Sequence, residues 1–286
     1  MSRIYEALKQ SGETKPGSIV EMIDGAEAIP QRPARAEWTE RTVSEYRQTA
    51  LRLQPGSPLL PFDGSDPRAA EQYRMLRTNL LQHPTEAKII AISSAGPGDG
   101  KTVTAINLAG SFALKDEART IVVDADLRRG SIAPSLGIES RPGLADVLRG
   151  GCLLEDAIVS FAMMPNLHVL ASGEVSGNPA ELLDSPGCRA IMSELRARFS
   201  FVIVDTTPIS AVADFKLIQQ LSDGVVLVLR PDHSNRAMGL KAASLIPREK
   251  LLGTVINDFK EWAFWKNRDH YEYYSAGAGK NKPANK

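Results

Sequence analysis

Only two cysteines occur in the 286 residues, Cys152 and Cys188, and they lie far apart without Cys-x-x-Cys spacing. That excludes a disulfide framework and a cysteine zinc site, and it fits a reducing compartment. Neither sign of charge is in excess: Lys plus Arg and Asp plus Glu each number 34, for a formal net charge of zero. No global field then favours nucleic acid, so no nucleic-acid partner is expected and any basic surface has to be local. There is no apolar run near the ~20 residues that a membrane span needs. The opening Met1–Ser2–Arg3–Ile4–Tyr5–Glu6 also lacks the apolar core of a signal peptide. The expectation is a soluble, cytoplasmic chain that meets a membrane only when a partner holds it there.

What the sequence does contain is Ala95–Gly96–Pro97–Gly98–Asp99–Gly100–Lys101–Thr102, preceded by the apolar stretch Lys88–Ile92 and followed by Ile106, Ala109 and Phe112 at helical spacing. A strand, a glycine-rich turn and a helix in this order, with the [AG]-x-x-x-x-G-K-[ST] spacing, predict a phosphate-binding loop. Glycines let the backbone curl until several N–H groups point inward, and the helix N-terminus adds partial positive charge. Lys101 would reach the β- and γ-phosphates, Thr102 would offer a hydroxyl to Mg²⁺, and Gly96, Gly98, Asp99, Gly100 and Val103 would complete a cradle for ATP.

Along the chain, Ser2–Gln10 suggests a short helix, residues 11–65 a mostly disordered linker rich in Pro, Gly and Ser, residues 66–258 one nucleotide-binding domain, and residues 259–286 a flexible tail. Asp66–Pro67 is a helix-start signal for a helix ending near Gln82. Glu71, Arg74 and Arg77 form a charged stripe on it, which by itself reads as a solvated face. Thr120–Val123, Phe201–Val204, Val225–Leu229 and Leu251–Ile256 are uninterrupted apolar strands. Strands of that kind imply a mostly parallel α/β sheet covered by helices on both faces. Asp124 and Asp126 end the first of these strands, Asp205 ends the second, and Asn257 ends the last, within reach of an adenine. Ligands of open parallel sheets sit beyond the carboxyl ends of the strands, so three acids and the phosphate loop should share one edge. Between residues 130 and 200 the pattern predicts short helices, including Glu155–Ser160, and a strand at Leu167–Ala171 in which His168 is packed. The tail carries Phe259, Trp262, Phe264 and Trp265, then Tyr271, Tyr273 and Tyr274, half of all six tyrosines within four residues.

Taken together these motifs resemble the bacterial tyrosine autokinases of exopolysaccharide and capsular polysaccharide synthesis, in their cytoplasmic kinase-domain form. Ala95–Thr102 resembles their Walker A loop, Val122–Asp126 their second Asp-bearing element, and Val202–Asp205 their Walker B strand. Glu71, Arg74 and Arg77 resemble their Glu-x-x-Arg-x-x-Arg oligomerisation helix, and Tyr271, Tyr273 and Tyr274 their phosphoacceptor cluster. Gly143–Leu148 and Asn178–Leu183 are similar too. The resemblance implies a P-loop NTPase fold, ATP and Mg²⁺ as cofactors, and metal contacts from Thr102, Asp126 and Asp205. It further implies a catalytic set of Lys101, Asp124, Asp126 and Asp205, with Asp124 acting on the incoming phenol. Implied partners are further copies in a homo-oligomeric ring, a membrane polysaccharide co-polymerase that recruits the kinase to the inner face of the plasma membrane, and a cognate tyrosine phosphatase. The chain departs from the pattern at Thr206–Thr207–Pro208, where Thr-Pro-Pro is usual, and at Asp99, where Glu is common. Both positions are expected to contribute mainly backbone.

Two other readings stay open on sequence. A partition-type switch ATPase shares the fold and cycles on a membrane; such proteins carry a lysine near the start of the loop, where this chain has Gly96, yet Phe259–Trp265 would suit an interfacial anchor. A nucleotide-dependent scaffold would use the same binding residues without kinase activity.

Overall fold

The computed structural model describes residues 46–258, apart from 117, 175–176, 210–212 and 232. Its frame is an eight-stranded sheet made of β1 (Arg47–Thr49), β2 (Ile89–Ser94), β3 (Thr120–Asp124), β4 (Ile158–Phe161), β5 (Met164–Leu170), β6 (Phe201–Asp205), β7 (Gly224–Leu229) and β8 (Leu251–Ile256). The order across the sheet is β1-β4-β5-β3-β6-β2-β7-β8. Every neighbouring pair is parallel except β4 with β5.

Side chains alternate across each strand, so a strand rich in Ile and Val feeds two cores at once. Ile90, Ile92, Val122 and Ile203 face one side. They pack there against Ile106, Leu108 and Phe112 of α2 (Lys101–Ala113) and Leu80 of α1 (Pro67–Leu81). Ile132 and Leu136 of the short helix α3 (Ile132–Leu136) complete that face. Ile89, Ala91, Ile121, Val123 and Val202 face the other side. The short helices α4 (Leu144–Leu148), α5 (Leu154–Ala157) and α6 (Pro179–Asp184) supply Leu144, Leu154 and Leu183 to that second core. Ile191 and Leu195 of α7 (Pro186–Arg198), Phe215 and Ile218 of α8 (Asp214–Leu221) and Ala242 of α9 (Arg236–Ser244) complete it. The expected α/β, P-loop NTPase architecture with helices on both faces is what the chain adopts. Among the described residues no helix is long and apolar enough to cross a membrane.

Two expectations need correction. The linker read over 11–65 contains ordered structure from Tyr46 onward. Arg47–Thr49 is an edge strand pairing β4, and Leu59 and Leu60 are buried against α2. Asn107 of α2 clamps this arm at both ends of its amide, accepting from the Leu60 N–H at 2.7 Å and donating to the Pro58 carbonyl at 2.8 Å. Proline and serine content marks irregular backbone, but irregular backbone still packs when long-range partners satisfy its polar groups. The helix expected over Glu155–Ser160 stops at Ala157 and becomes β4, because Ile158 and Val159 find strands on both sides, β1 and β5. His168 is packed as expected, fully buried and edge-on to Tyr46 and Phe199 with ring centroids 5.1 Å away from each. Burial, reinforced by the Arg119 charge, pulls its pKa down to about 4. Cys152 and Cys188 are free thiols.

Candidate active site

The phosphate loop leaves the C-terminal end of β2 and enters α2 at Lys101. Gly98 and Gly100 hold φ of +88° and +94°, a region that glycine enters without the Cβ penalty other residues pay. Ser94 Oγ donates to the Gly96 carbonyl at 2.7 Å, and the Gly96 N–H donates to Asp99 Oδ2 at 2.9 Å. Asp99 therefore contributes more than backbone, which corrects the expectation for that position: its side chain is fully buried and braces the loop from within.

Strand order decides where the acids fall. Strands β3 and β6 are neighbours in register, with Asp124 opposite Asp205, and β6 lies next to β2. Asp124, Asp126 and Asp205 are all buried, and so is Lys101. The Lys101 ammonium lies 2.8 Å from Asp126 Oδ2 and 3.4 Å from Asp205 Oδ1. Thr102 Oγ1 donates to Asp205 Oδ2 at 2.6 Å. Asp124 Oδ2 accepts the Ile132 N–H at 2.9 Å. Asp124 Oδ1 and Asp126 Oδ1 are buried with no hydrogen-bond partner among the described residues. The five side chains Lys101, Thr102, Asp124, Asp126 and Asp205 thus meet at one point, as the strand-end pattern predicts.

Three buried carboxylates around one ammonium are electrostatically over-supplied with negative charge. Burial, together with the Asp205 charge, pushes Asp124 up to about 8, against the pull of the Ile132 N–H and of Lys101. Asp205 is pushed up to about 6, again by burial first, while Lys101 and the Thr102 hydroxyl favour its ionised form. Burial alone would lower the Lys101 pKa, but Asp205, Asp126 and Asp124 outweigh it and hold the ammonium above its ordinary value. The donor set fits a magnesium nucleotide. Carboxylate and hydroxyl oxygens are the ligands of a hard divalent cation, and buried acceptors that lack partners are what such a cation would satisfy.

The other expected residues are spread around this centre. Val103 is half-buried in the first turn of α2. Asn257 donates from Nδ2 to the Asp99 carbonyl at 2.9 Å, and a Cβ added at Gly100 would come within 1.9 Å of that nitrogen, so the Asn257 amide abuts the loop directly. On α1, Glu71 and Arg74 form an exposed pair at 3.2 Å. Arg77 turns inward instead, donating to the Ser111 carbonyl of α2. Tyr271, Tyr273 and Tyr274 lie outside the described residues, as do the terminal segment Ser2–Gln10 and the aromatic run Phe259–Trp265.

Sequence reasoning missed three contributors. Arg128 forms a two-pronged pair with buried Asp214, at 2.7 and 3.0 Å, and so ties the loop after Asp126 to the start of α8 beyond Asp205. An arginine two residues past Asp126 is the only local sign of it. Ser234 and His233, which contact Asp99 from the turn before α9, carry no local signal at all.

Comparison with known proteins agrees with this geometry. A family model described as an AAA domain matches residues 87–247, more than half of the chain. The tyrosine-protein kinase YwqD of Bacillus subtilis is 35% identical over 211 residues, which is 71% of this chain and 88% of that protein. Among solved structures, the chimerical protein CapA2B2 superposes with a TM-score of 0.68 at 31% identity, covering 73% of this chain and 93% of its own. The kinase domain of the Escherichia coli tyrosine kinase ETK gives 0.65 at 28% identity, covering 72% and 82%. A phosphate loop with three strand-end aspartates, these identities and these coverages converge on one conclusion: the chain belongs to the bacterial tyrosine-kinase family of P-loop proteins.

Proposed function

We propose that this protein is an ATP-dependent tyrosine autokinase that phosphorylates Tyr271, Tyr273 and Tyr274 in the tail of a neighbouring copy, and so regulates exopolysaccharide synthesis or export. The observation that carries the reading is the meeting of Lys101, Thr102, Asp124, Asp126 and Asp205 at the phosphate loop. Phosphoryl transfer needs positioned phosphates, neutralised charge and a nucleophile relieved of its proton. The loop backbone, Lys101 and the α2 N-terminus would hold the β- and γ-phosphates of ATP. Magnesium, when bound through Thr102, Asp126 and Asp205, would supply the remaining positive charge. A phenol has a reference pKa of about 10 and is a poor nucleophile at neutral pH. In this reading its oxygen forms the new bond to the γ-phosphorus while the bond to the β–γ bridging oxygen breaks and ADP leaves. The phenolic proton passes to the carboxylate form of Asp124, which stands at the end of β3 opposite Asp205.

The family supports further expectations of the same reading. Copies would assemble into a ring through α1, using the exposed Glu71–Arg74 pair. A membrane co-polymerase would recruit and activate the ring, and a cognate phosphatase would reverse the modification. Each phosphotyrosine adds about −1.5 to −2 charges, so a modified tail would be repelled from the three aspartates and the ring would loosen.

The test mixes purified Lys101→Met protein, whose tail is intact, with an active form in which Tyr271, Tyr273 and Tyr274 are Phe, in labelled ATP, Mg²⁺ and the partner's cytosolic segment. Label on the Lys101→Met chains establishes transfer between copies. ATP turned over to free phosphate with no phosphotyrosine on either chain would refute the kinase reading and favour a switch ATPase.

A further inference from the structure

The side chain of Asp99 has three hydrogen-bond partners, and two of them, Ser234 and His233, come from outside the phosphate loop. Its carboxylate is fully buried. Oδ2 accepts the Gly96 N–H at 2.9 Å. The Ser234 hydroxyl lies 2.7 and 2.8 Å from Oδ1 and Oδ2, shared between them, and His233 Nδ1 is 3.1 Å from Oδ1. Ser234 is itself buried, whereas His233 is about half exposed. The imidazole also roofs the loop: a Cβ added at Gly98 would meet its Cε1 at 3.2 Å.

We propose that Ser234 and His233 are positioning residues for the nucleotide: acting through Asp99, they hold the phosphate loop in its binding-competent shape before ATP arrives. The physical need is plain. A loop with Gly98 and Gly100 in the left-handed region has many alternative conformations, and fixing them on binding costs entropy unless the loop is already fixed. A buried carboxylate that lacks donors is unfavourable, so Asp99 stays in place only while Gly96, Ser234 and His233 satisfy it. The turn before α9 thereby becomes part of the nucleotide site without touching the reacting atoms.

The proposal rests on the nucleotide-binding reading above, and the experiment separates the two. Binding of a fluorescent ADP analogue, in Mg²⁺, needs no kinase chemistry. Ser234→Ala should weaken it about tenfold, the usual effect of losing a hydrogen bond to a charged group. Ser234→Thr, which keeps the hydroxyl, should stay within about twofold of the parent, and His233→Ala should fall between. Asp99→Asn should weaken binding as Ser234→Ala does, and the double variant should be no worse than Asp99→Asn alone, because both changes break one unit. In turnover, KM for ATP should rise with kcat held within about twofold, a split that general loosening of the fold would not produce. Parent binding with undiminished affinity in Ser234→Ala, or strict additivity in the double variant, would overturn the clamp alone. A parent protein that binds no ADP would overturn the nucleotide site together with it.

Discussion

Replacing Asp124 by Asn should abolish transfer and yet make the nucleotide-free protein more stable. In the unfolded chain this carboxyl has an ordinary pKa of 3.8, and in the fold it is pushed up to about 8. Between those values the folded state binds the proton more tightly, so raising pH through this window favours the unfolded chain and stability falls. At about 1.4 kcal/mol per pH unit, the penalty at pH 7 is on the order of 4 kcal/mol; at pH 5 it is about 2, and below the unfolded pKa it vanishes. Asparagine is never ionised, so it avoids the penalty. It also keeps an oxygen for the Ile132 N–H, and its amide stands where Asp124 Oδ1 now lacks a hydrogen bond. Urea unfolding of parent and Asp124→Asn protein without nucleotide, at pH 5 and pH 7, measures the effect. The variant should be more stable at both, by a margin roughly two to three times as large at pH 7. A variant less stable than the parent, or a margin that does not change with pH, would refute the claim that this carboxyl is held above neutrality by burial and Asp205.

The arm and α1 allow simpler tests. Gly110 lies under the arm, where a Cβ would come within 2.6 Å of Leu60 Cδ2 and 3.0 Å of Phe62 Cε2. Gly110→Ala should therefore lose about 1–2 kcal/mol in a thermal melt, overpacking of about 1–3 outweighing the helix-propensity gain of up to about 1. Arg77→Ala should lower the melting temperature because its guanidinium ties α1 to the Ser111 carbonyl. Arg74→Ala, in an exposed pair, should change stability by no more than about 0.5 kcal/mol while shifting the sedimentation profile toward smaller assemblies. Lys101→Met should end all transfer to the tail, read by phosphotyrosine blotting, because the three aspartates lose their only nearby ammonium among the described residues.

Much of the site was legible because its signals are local. The loop spacing is a contiguous motif, and Asp124, Asp126 and Asp205 each close an apolar run whose β-branched residues announce a buried strand. Parallel strands must deliver their C-terminal residues to a common edge, so the meeting of those acids followed from strand type alone. What stayed hidden depends on pairing across long sequence separations. Strand β4 looked helical because four residues of true helix precede it, and only β1 and β5 on its two sides make it a strand. Residues 46–65 looked like linker because nothing local reveals that Asn107, far along the chain, satisfies their backbone. Asp99 looked like a backbone position because Ser234 and His233 reach it only once β7 has been placed beside β2.

By itself, the amino-acid order determined the class of fold, the phosphate loop and the identity of the charged groups, since periodicity, glycine placement and strand-end acids are properties of neighbours along the chain. Tertiary structure alone decided how those charges share one buried volume. It set a carboxyl near pH 8 in place of an ordinary acid, turned Arg77 inward, and made a serine and a histidine from a distant turn the brace of the loop. The reason is that desolvation and Coulomb energy depend on distance and depth, which sequence separation does not encode.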